Sequence, residues 1–122
     1  MKGKEYDYKG RLRYEGEYLN GQKYKGKEYH INGNLRYEGE YLFEKRHGQG
    51  IEYYYYNNDI KFKGEFLNGK RHGEGREYFY DNILKFEGKY EKGERCGKGK
   101  EYCNYYNIYY GLLKINIHYD YF

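Results

Sequence analysis

The chain has 122 residues, among them 22 Tyr and 6 Phe, and its 23 basic and 19 acidic residues give a net charge of +4. A chain of this length forms one domain. Because it contains no Ser or Thr, it excludes a Ser-His-Asp nucleophile, a phosphate-binding loop ending in Gly-Lys-Ser/Thr, and N-linked glycosylation.

The first residues contain no apolar stretch typical of a secretion signal, and no apolar run approaches the ~20 residues of a membrane-spanning helix. Cys96 and Cys103 fall in one predicted strand. At ~3.3 Å per residue they lie roughly 23 Å apart, too far for a disulfide. We expect free thiols and a cytoplasmic location, with peripheral attachment to a membrane or the cytoskeleton left open.

Two short phrases recur in phase along the chain. The first begins as Gly3-Lys4-Glu5-Tyr6 and returns at Gly26, Gly50, Gly75 and Gly99. The second begins as Tyr14-Glu15-Gly16-Glu17-Tyr18, returns around Gly39, Gly64 and Gly88, and decays around Gly111. A period of this length indicates a stacked array whose repeats contact mainly their neighbours.

Each repeat has the pattern of a β-hairpin. In Phe62–Phe66 aromatic and charged residues alternate around Gly64, as in a half-buried strand. Leu67–His72 contains the hairpin signal Asn-Gly, and Gly73–Tyr80 follows as a return strand. We predict an all-β fold, an elongated single-layer antiparallel meander of about five hairpins. The predicted repeats are 3–25, 26–49, 50–74, 75–98 and 99–113, followed by a C-terminal strand over 114–122.

The glycines require a reason, because glycine weakens a strand. Our interpretation is that bare backbone lets the rings of neighbouring strands lie flat, so that rings and glycines form columns. Gly64→Val should then cost more stability than Lys63→Val. The predicted column residues are Tyr14, Gly16, Tyr18, Tyr37, Gly39, Tyr41, Gly48, Gly50, Phe62, Gly64, Phe66, Gly73, Gly75, Phe86, Gly88, Tyr90, Gly97 and Gly99.

The phased phrases resemble the membrane occupation and recognition nexus (MORN) repeat, most clearly over 62–78 and 86–102. The chain departs from that pattern where Glu44 replaces the turn glycine and where the first copy is one residue shorter near Tyr24. The resemblance implies a single-layered antiparallel sheet that works as a scaffold or tether, often as a dimer, and it raises phosphoinositide binding as an alternative.

Two columns of residues that could bind metal or act in catalysis are better explained without either role. His47, His72 and Cys96 occupy equivalent positions about 9.6 Å apart, too far to share one zinc ion within a chain. We therefore expect no metal or cofactor, with only a metal shared between protomers left open. The second column should be a solvated row of charges offset by Lys27, Arg76 and Lys100; its members are Glu28, Glu52, Glu77 and Glu101.

The basic residues suggest one membrane contact. Lys45-Arg46 and Lys70-Arg71 should project from turns along one rim, where each could contribute about 1 kcal/mol at an anionic leaflet. Interleaved glutamates argue against nucleic acid, which requires uncompensated positive charge.

The C-terminus has a clean strand period, with Leu113, Ile115, Ile117, Tyr119 and Tyr121 in alternate positions. This strand could cap the array or pair with another chain, including a second copy. We expect removal of residues 114–122 to change the oligomeric state.

These patterns predict a non-catalytic scaffold for protein–protein interaction. Its recognition surface would be the turn rim or the aromatic-rich face that carries Tyr14, Tyr37, Phe62 and Phe86. The alternative is a membrane-surface adaptor that binds anionic phospholipids through the basic turns.

Overall fold

A computed structural model describes residues 1–103 and 117–121, which form one open antiparallel sheet with its strands in chain order. This confirms the predicted all-β single-layer meander. Among the described residues the other regular element is a 3-10 turn, Tyr80–Asn82. The strands are β1 (Lys2–Tyr6), β2 (Leu12–Leu19), β3 (Gln22–Tyr29), β4 (Leu35–Leu42), β5 (Lys45–Tyr53), β6 (Ile60–Leu67), β7 (Lys70–Phe79), β8 (Ile83–Glu91), β9 (Glu94–Cys103) and β10 (Ile117–Tyr121).

Tight two-residue turns join β2 to β3, β4 to β5, β6 to β7 and β8 to β9. Asn68 and Gly69 have φ values of 51° and 83°, as in the type I′ turn that matches the twist of flanking strands. The β4–β5 turn uses Phe43 and Glu44 instead, at φ values of 51° and 64°. Phe43 is a bulky residue in the left-handed region, where such side chains are strained.

Phe43→Asn is therefore expected to stabilise the protein by about 0.5–1 kcal/mol, because Asn tolerates the left-handed conformation. Glu44 should be kept, since its Oε1 accepts a hydrogen bond from the Lys23 backbone N–H at 3.0 Å. Thermal unfolding would measure the change, and an unchanged or lower midpoint would show that Phe43 is not strained.

One glycine from each of the first nine strands lies directly opposite the next, forming a continuous row across the sheet. The pairing runs through Gly3, Gly16, Gly26, Gly39, Gly50, Gly64, Gly75, Gly88 and Gly99. We call this set the glycine row. The strands can approach closely there, because neither partner carries a Cβ.

Four rings lie over the glycine row and form the centre of the core: Tyr14, Tyr37, Phe62 and Phe86, each at most 2% exposed. A Cβ added at Gly75 would lie 2.5 Å from two carbon atoms of the Phe62 ring. A second set, Tyr41, Phe66 and Tyr90, meets these rings edge to face. We call the side of the sheet that carries them the aromatic face and the opposite side the charged face.

The column interpretation was wrong for three glycines. Gly48, Gly73 and Gly97 have φ values of 65°, 58° and 67°, and each lies where the strand register shifts. Their role is to make a bulge with left-handed backbone, which glycine adopts without strain.

Strand β10 is the last strand of the sheet in the described part of the chain and pairs with β9, with Tyr119 opposite Glu101 and Tyr121 opposite Gly99. Leu113, Ile115 and the degenerate copy around Gly111 lie outside the described residues. Whether 114–122 caps the array or contacts a partner stays a prediction.

Candidate functional site

On the aromatic face, glutamates and arginines of the return strands β3, β5, β7 and β9 alternate along one row. Arg46 lies between two carboxylates, with Nη2 3.1 Å from Glu28 Oε2 and Nη1 3.7 Å from Glu52 Oε2. Arg71 repeats this arrangement, with Nε 2.9 Å from Glu52 Oε1 and Nη1 3.8 Å from Glu77 Oε1. We call the whole set the Glu–Arg row: Glu28, Arg46, Glu52, Arg71, Glu77, Arg95 and Glu101.

The cations of this row cover the buried rings. The distance from arginine Cζ to the ring centroid is 4.4 Å for Arg46 and Tyr37, 4.4 Å for Arg71 and Phe62, and 3.9 Å for Arg95 and Phe86. Lys23 takes the same place over Tyr14. Each ring thus lies between glycine backbone and a cation, which adds a cation–π attraction. The sheet buries its aromatic core in this way with its own side chains.

Sequence reasoning missed two of the cations that cover the rings, Lys23 and Arg95, although the sequence contains a signal for them. A basic residue stands at the same offset from the central glycine in each of the four copies, where Gly64 leads to Arg71 and Gly88 leads to Arg95. Only with the strands paired does that offset place the cation over the ring of its own hairpin.

The expectation of a solvated glutamate column also needs correction. The side chains of Glu52 and Glu77 are only 18% and 17% exposed, and arginines on the same face neutralise them. Arg76, expected to offset this column, instead lies beside Glu87, with Nε 3.3 Å from Oε2. Lys27 likewise lies beside Glu38. The expected partners lie on the charged face because side chains alternate along a strand.

Arginines and tyrosines of the aromatic face lower the pKa of two carboxyl groups, Glu28 and Glu77. Burial alone would raise the pKa of Glu77, but hydrogen bonds from Arg95 and Tyr90, with the charges of Arg95 and Arg71, lower it below its usual value. The same balance of burial against Arg46 and Tyr41 lowers the pKa of Glu28. Both groups therefore stabilise the fold as carboxylates.

Acid should weaken the fold through these two groups. A carboxylate with a depressed folded-state pKa contributes stability that is complete above its unfolded pKa, about 4.5, and is lost as the pH falls through the folded pKa. The free energy of unfolding should be level near neutrality and decline below about pH 4.5. Urea titrations across this range would measure it, and Glu77→Gln should flatten the decline; an identical pH profile for Glu77→Gln would contradict the assignment.

Two of the four basic residues predicted to contact lipid do not project from the turns. The side chains of Arg46 and Arg71 are 15% and 19% exposed, since both belong to the Glu–Arg row. Lys45 and Lys70, one residue nearer the turns, are exposed. The physical reason is again the alternation of side chains along a strand, which sends neighbours to opposite faces.

The predicted recognition rings are also not accessible. Tyr14, Tyr37, Phe62 and Phe86 are buried within the single chain, so the accessible layer of the aromatic face is the Glu–Arg row with Lys23. Apart from Met1, Tyr6 and Tyr24, the exposed large apolar side chains of the described residues lie along the two rims of the sheet.

One rim consists of the loops that join successive hairpins, and its exposed apolar side chains are Tyr8, Ile31, Tyr55, Tyr56 and Tyr80. We call this set the loop rim. Neighbouring loops support each other: the Asn32 and Asn34 side-chain amides donate to the Tyr55 carbonyl at 2.9 and 3.0 Å, and the ring of Tyr80 contacts that of Tyr54. The phrases of the repeat do not include these residues, so the sequence pattern gave no sign of them.

The other rim consists of the two-residue turns, and its exposed apolar side chains are Leu19, Leu42, Phe43 and Leu67. We call this set the turn rim. Adjacent turns are tied together, since Gly69 N–H donates to the Arg46 carbonyl at 3.0 Å. Lys45 and Lys70 lie directly opposite Leu42 and Leu67.

The column of His47, His72 and Cys96 is spread over successive repeats. These residues lie opposite Glu40, Glu65 and Lys89. Within the described ranges no group of three potential ligands could hold a metal ion, and the Cys96 thiol is free and exposed.

A model of the MORN repeat family matches residues 14–23, 37–55, 62–83 and 86–104, together more than half of the chain. The gap at 24–36 contains most of β3, where the first copy has its shorter bulge. No curated protein matches the chain. No helix in the described part of the chain is long and apolar enough to cross a membrane. MORN repeats are a non-catalytic repeat type generally associated with protein or membrane interaction.

Proposed function

Because the chain belongs to the MORN repeat family, we propose that it is a non-catalytic scaffold that binds a protein partner through its loop rim. The observation that carries this proposal is the exposure of Tyr8, Tyr56 and Tyr80, at 91%, 83% and 57%. Tyrosines are enriched at the centres of protein interfaces because they offer large area at low entropic cost.

The support for this surface is its preorganisation. The Tyr54 ring lies 4.5 Å from the Tyr80 ring, and the Tyr55 ring lies 5.0 Å from that of His30 and 4.8 Å from that of Tyr56. A partner would meet rings that are already placed, so that little conformational entropy is lost on binding. Four loops in series present such side chains along one rim, which suits an extended partner.

The test compares two double variants in quantitative pull-downs from the native cell, with bound proteins identified. Tyr56→Ser with Tyr80→Ser removes two exposed rings of the loop rim, and Leu19→Ser with Leu42→Ser is the matched control at the turn rim. A defined partner should be lost from the first variant and kept by the second. Equal recovery by both folded variants would refute the loop rim as the contact.

A second candidate is a membrane-surface adaptor, favoured by the turn rim. Exposed Leu42, Phe43 and Leu67 lie beside exposed Lys45 and Lys70, a combination of apolar and cationic groups that suits an anionic leaflet. Each lysine there could contribute about 1 kcal/mol.

Cosedimentation with phosphatidylcholine vesicles, with and without phosphatidylserine, would test this candidate. Binding should require phosphatidylserine, fall with salt and disappear in Lys45→Glu with Lys70→Glu. Binding that ignores both salt and these substitutions would exclude it.

A further inference from the structure

The two terminal strands each have one unpaired edge. Within the described residues, β1 pairs only with β2 and β10 pairs only with β9. An open strand edge presents unpaired N–H and C=O groups and is a template for another strand. The residues on these two edges decide which strand each edge accepts.

The two strands that flank β9 place residues of the same chemical type opposite Lys100 and Glu101. Lys100 lies opposite Glu87 of β8 on one side and opposite Asp120 of β10 on the other. The next residue, Glu101, lies between aromatic residues of the same two strands. Strand β10 therefore occupies the register position of an aromatic-bearing strand, with Tyr121 at the place where the inner strands carry a glycine of the glycine row. The inner aromatic-bearing strands β2, β4, β6 and β8 have a partner on both sides, whereas β10 has one partner among the residues that the structure describes.

Strand β1 contains the same four-residue sequence as the part of β9 that pairs with β10. Both contain Gly-Lys-Glu-Tyr, at 3–6 in β1 and at 99–102 in β9. In the pairing of β1 with β2, Lys4 lies opposite Glu15 and Glu5 lies opposite Tyr14. The pairing of β9 with β10 has the same pattern: a lysine opposite an acidic residue, followed by a glutamate opposite a tyrosine. The outer edge of β1 thus offers the kind of strand that β10 lacks on its second edge within the described ranges.

We infer that copies of this chain associate head to tail, with β1 of one copy paired to β10 of the next. In this register Lys4 lies opposite Asp120 and Glu5 opposite Tyr119, so the meander continues from one molecule into the other. The contact joins two different surfaces, and each added copy leaves one β1 and one β10 edge open. Assembly therefore grows with concentration and does not stop at two.

Charge disfavours the symmetric alternative at β1. Two β1 strands paired about Gly3 would place Lys2 opposite Lys4 twice, and like charges directly opposite destabilise a sheet. A symmetric contact through β10 would instead form a closed dimer. The two arrangements can be distinguished by size, because only the head-to-tail arrangement forms species larger than a dimer.

The experiment is sedimentation velocity of the full chain over a wide range of concentration at low salt. The wild type should form species larger than dimers as the concentration rises. Lys4→Glu and Asp120→Lys should each require about tenfold higher concentration, because each opposes like charges at the junction. An equimolar mixture of the two should assemble again, since every junction between unlike copies then pairs opposite charges.

Lys27→Glu is the matched control, with the same charge change at the equivalent position of β3, an inner strand flanked by Glu15 and Glu38. It should assemble like the wild type, and circular dichroism should show all variants folded. A strictly monomeric wild type, assembly that ends at a dimer, unaltered assembly of Lys4→Glu, or a mixture that stays apart would each overturn the inference.

Discussion

Gly64→Val is expected to lower the free energy of unfolding by about 3 kcal/mol, the upper part of the range for overpacked sites. A Cβ at this position would lie 2.7 Å from the Glu74 carbonyl oxygen, 2.7 Å from the Gly75 Cα and 2.9 Å from Cζ of the Phe62 ring. Two of these contacts are backbone atoms of the paired strand, so β6 and β7 would have to separate. The fully buried Phe62 ring has no room to yield.

Strand propensity alone predicts that Gly64→Val raises the free energy of unfolding, so this substitution distinguishes packing from propensity. Valine favours strands over glycine by up to about 1 kcal/mol, so a stabilised variant would be expected if packing were indifferent. The matched control is Lys63→Val, because Lys63 is the adjacent residue and its side chain is exposed on the charged face. Urea unfolding of both variants would measure the difference, and equal midpoints would contradict the glycine row as a packing feature.

Arg71→Met should destabilise the protein by about 2–3 kcal/mol. Methionine preserves apolar cover over Phe62 but leaves Glu52 and Glu77 without the cation that lies between them. Removing one partner of a largely buried pair costs more than the pair itself contributes, because the remaining charges stay desolvated. Arg71→Lys should recover only part of the loss, since an ammonium cannot reproduce the planar fork of a guanidinium.

The control for this prediction is Arg76→Met on the charged face. Arg76 also pairs with a carboxylate, Glu87, but its side chain is 60% exposed, and exposed pairs contribute at most about 1 kcal/mol. Chemical denaturation at neutral pH should therefore separate the two arginines. Equal loss of unfolding free energy in Arg71→Met and Arg76→Met would contradict a stabilising role for the buried Glu–Arg row.

The period-two pattern and the Asn-Gly turns were enough to predict hairpins, strand order and a sheet without helices, because each repeat mainly contacts its sequence neighbours. The same locality predicted Tyr37 and Phe62 as rings that hold the sheet together, but it did not show that they are inaccessible to a partner. The resemblance to MORN repeats came from the same phrases, and the family match confirms it.

The roles of individual residues were harder to predict from the sequence. Gly73 and Gly75 look equivalent in the sequence, yet one supplies left-handed backbone and the other supplies space for a ring. The positive φ at Gly73 arises from a bulge, and a bulge depends on how two strands pair. No periodicity within a single strand contains that information.

By itself, the sequence determined the repeat, the hairpins and the aromatic positions that stack on glycines, since all of these depend on residues close together in the chain. Only the tertiary structure decided which charges meet. Arg71 and Arg76 are both basic residues of β7, and the odd separation of their positions places them on opposite faces, with Arg71 paired to Phe66 and Arg76 to Lys63. One therefore lies over a ring between two carboxylates and the other in solvent, because pairing across strands, and not proximity along the chain, sets their neighbours.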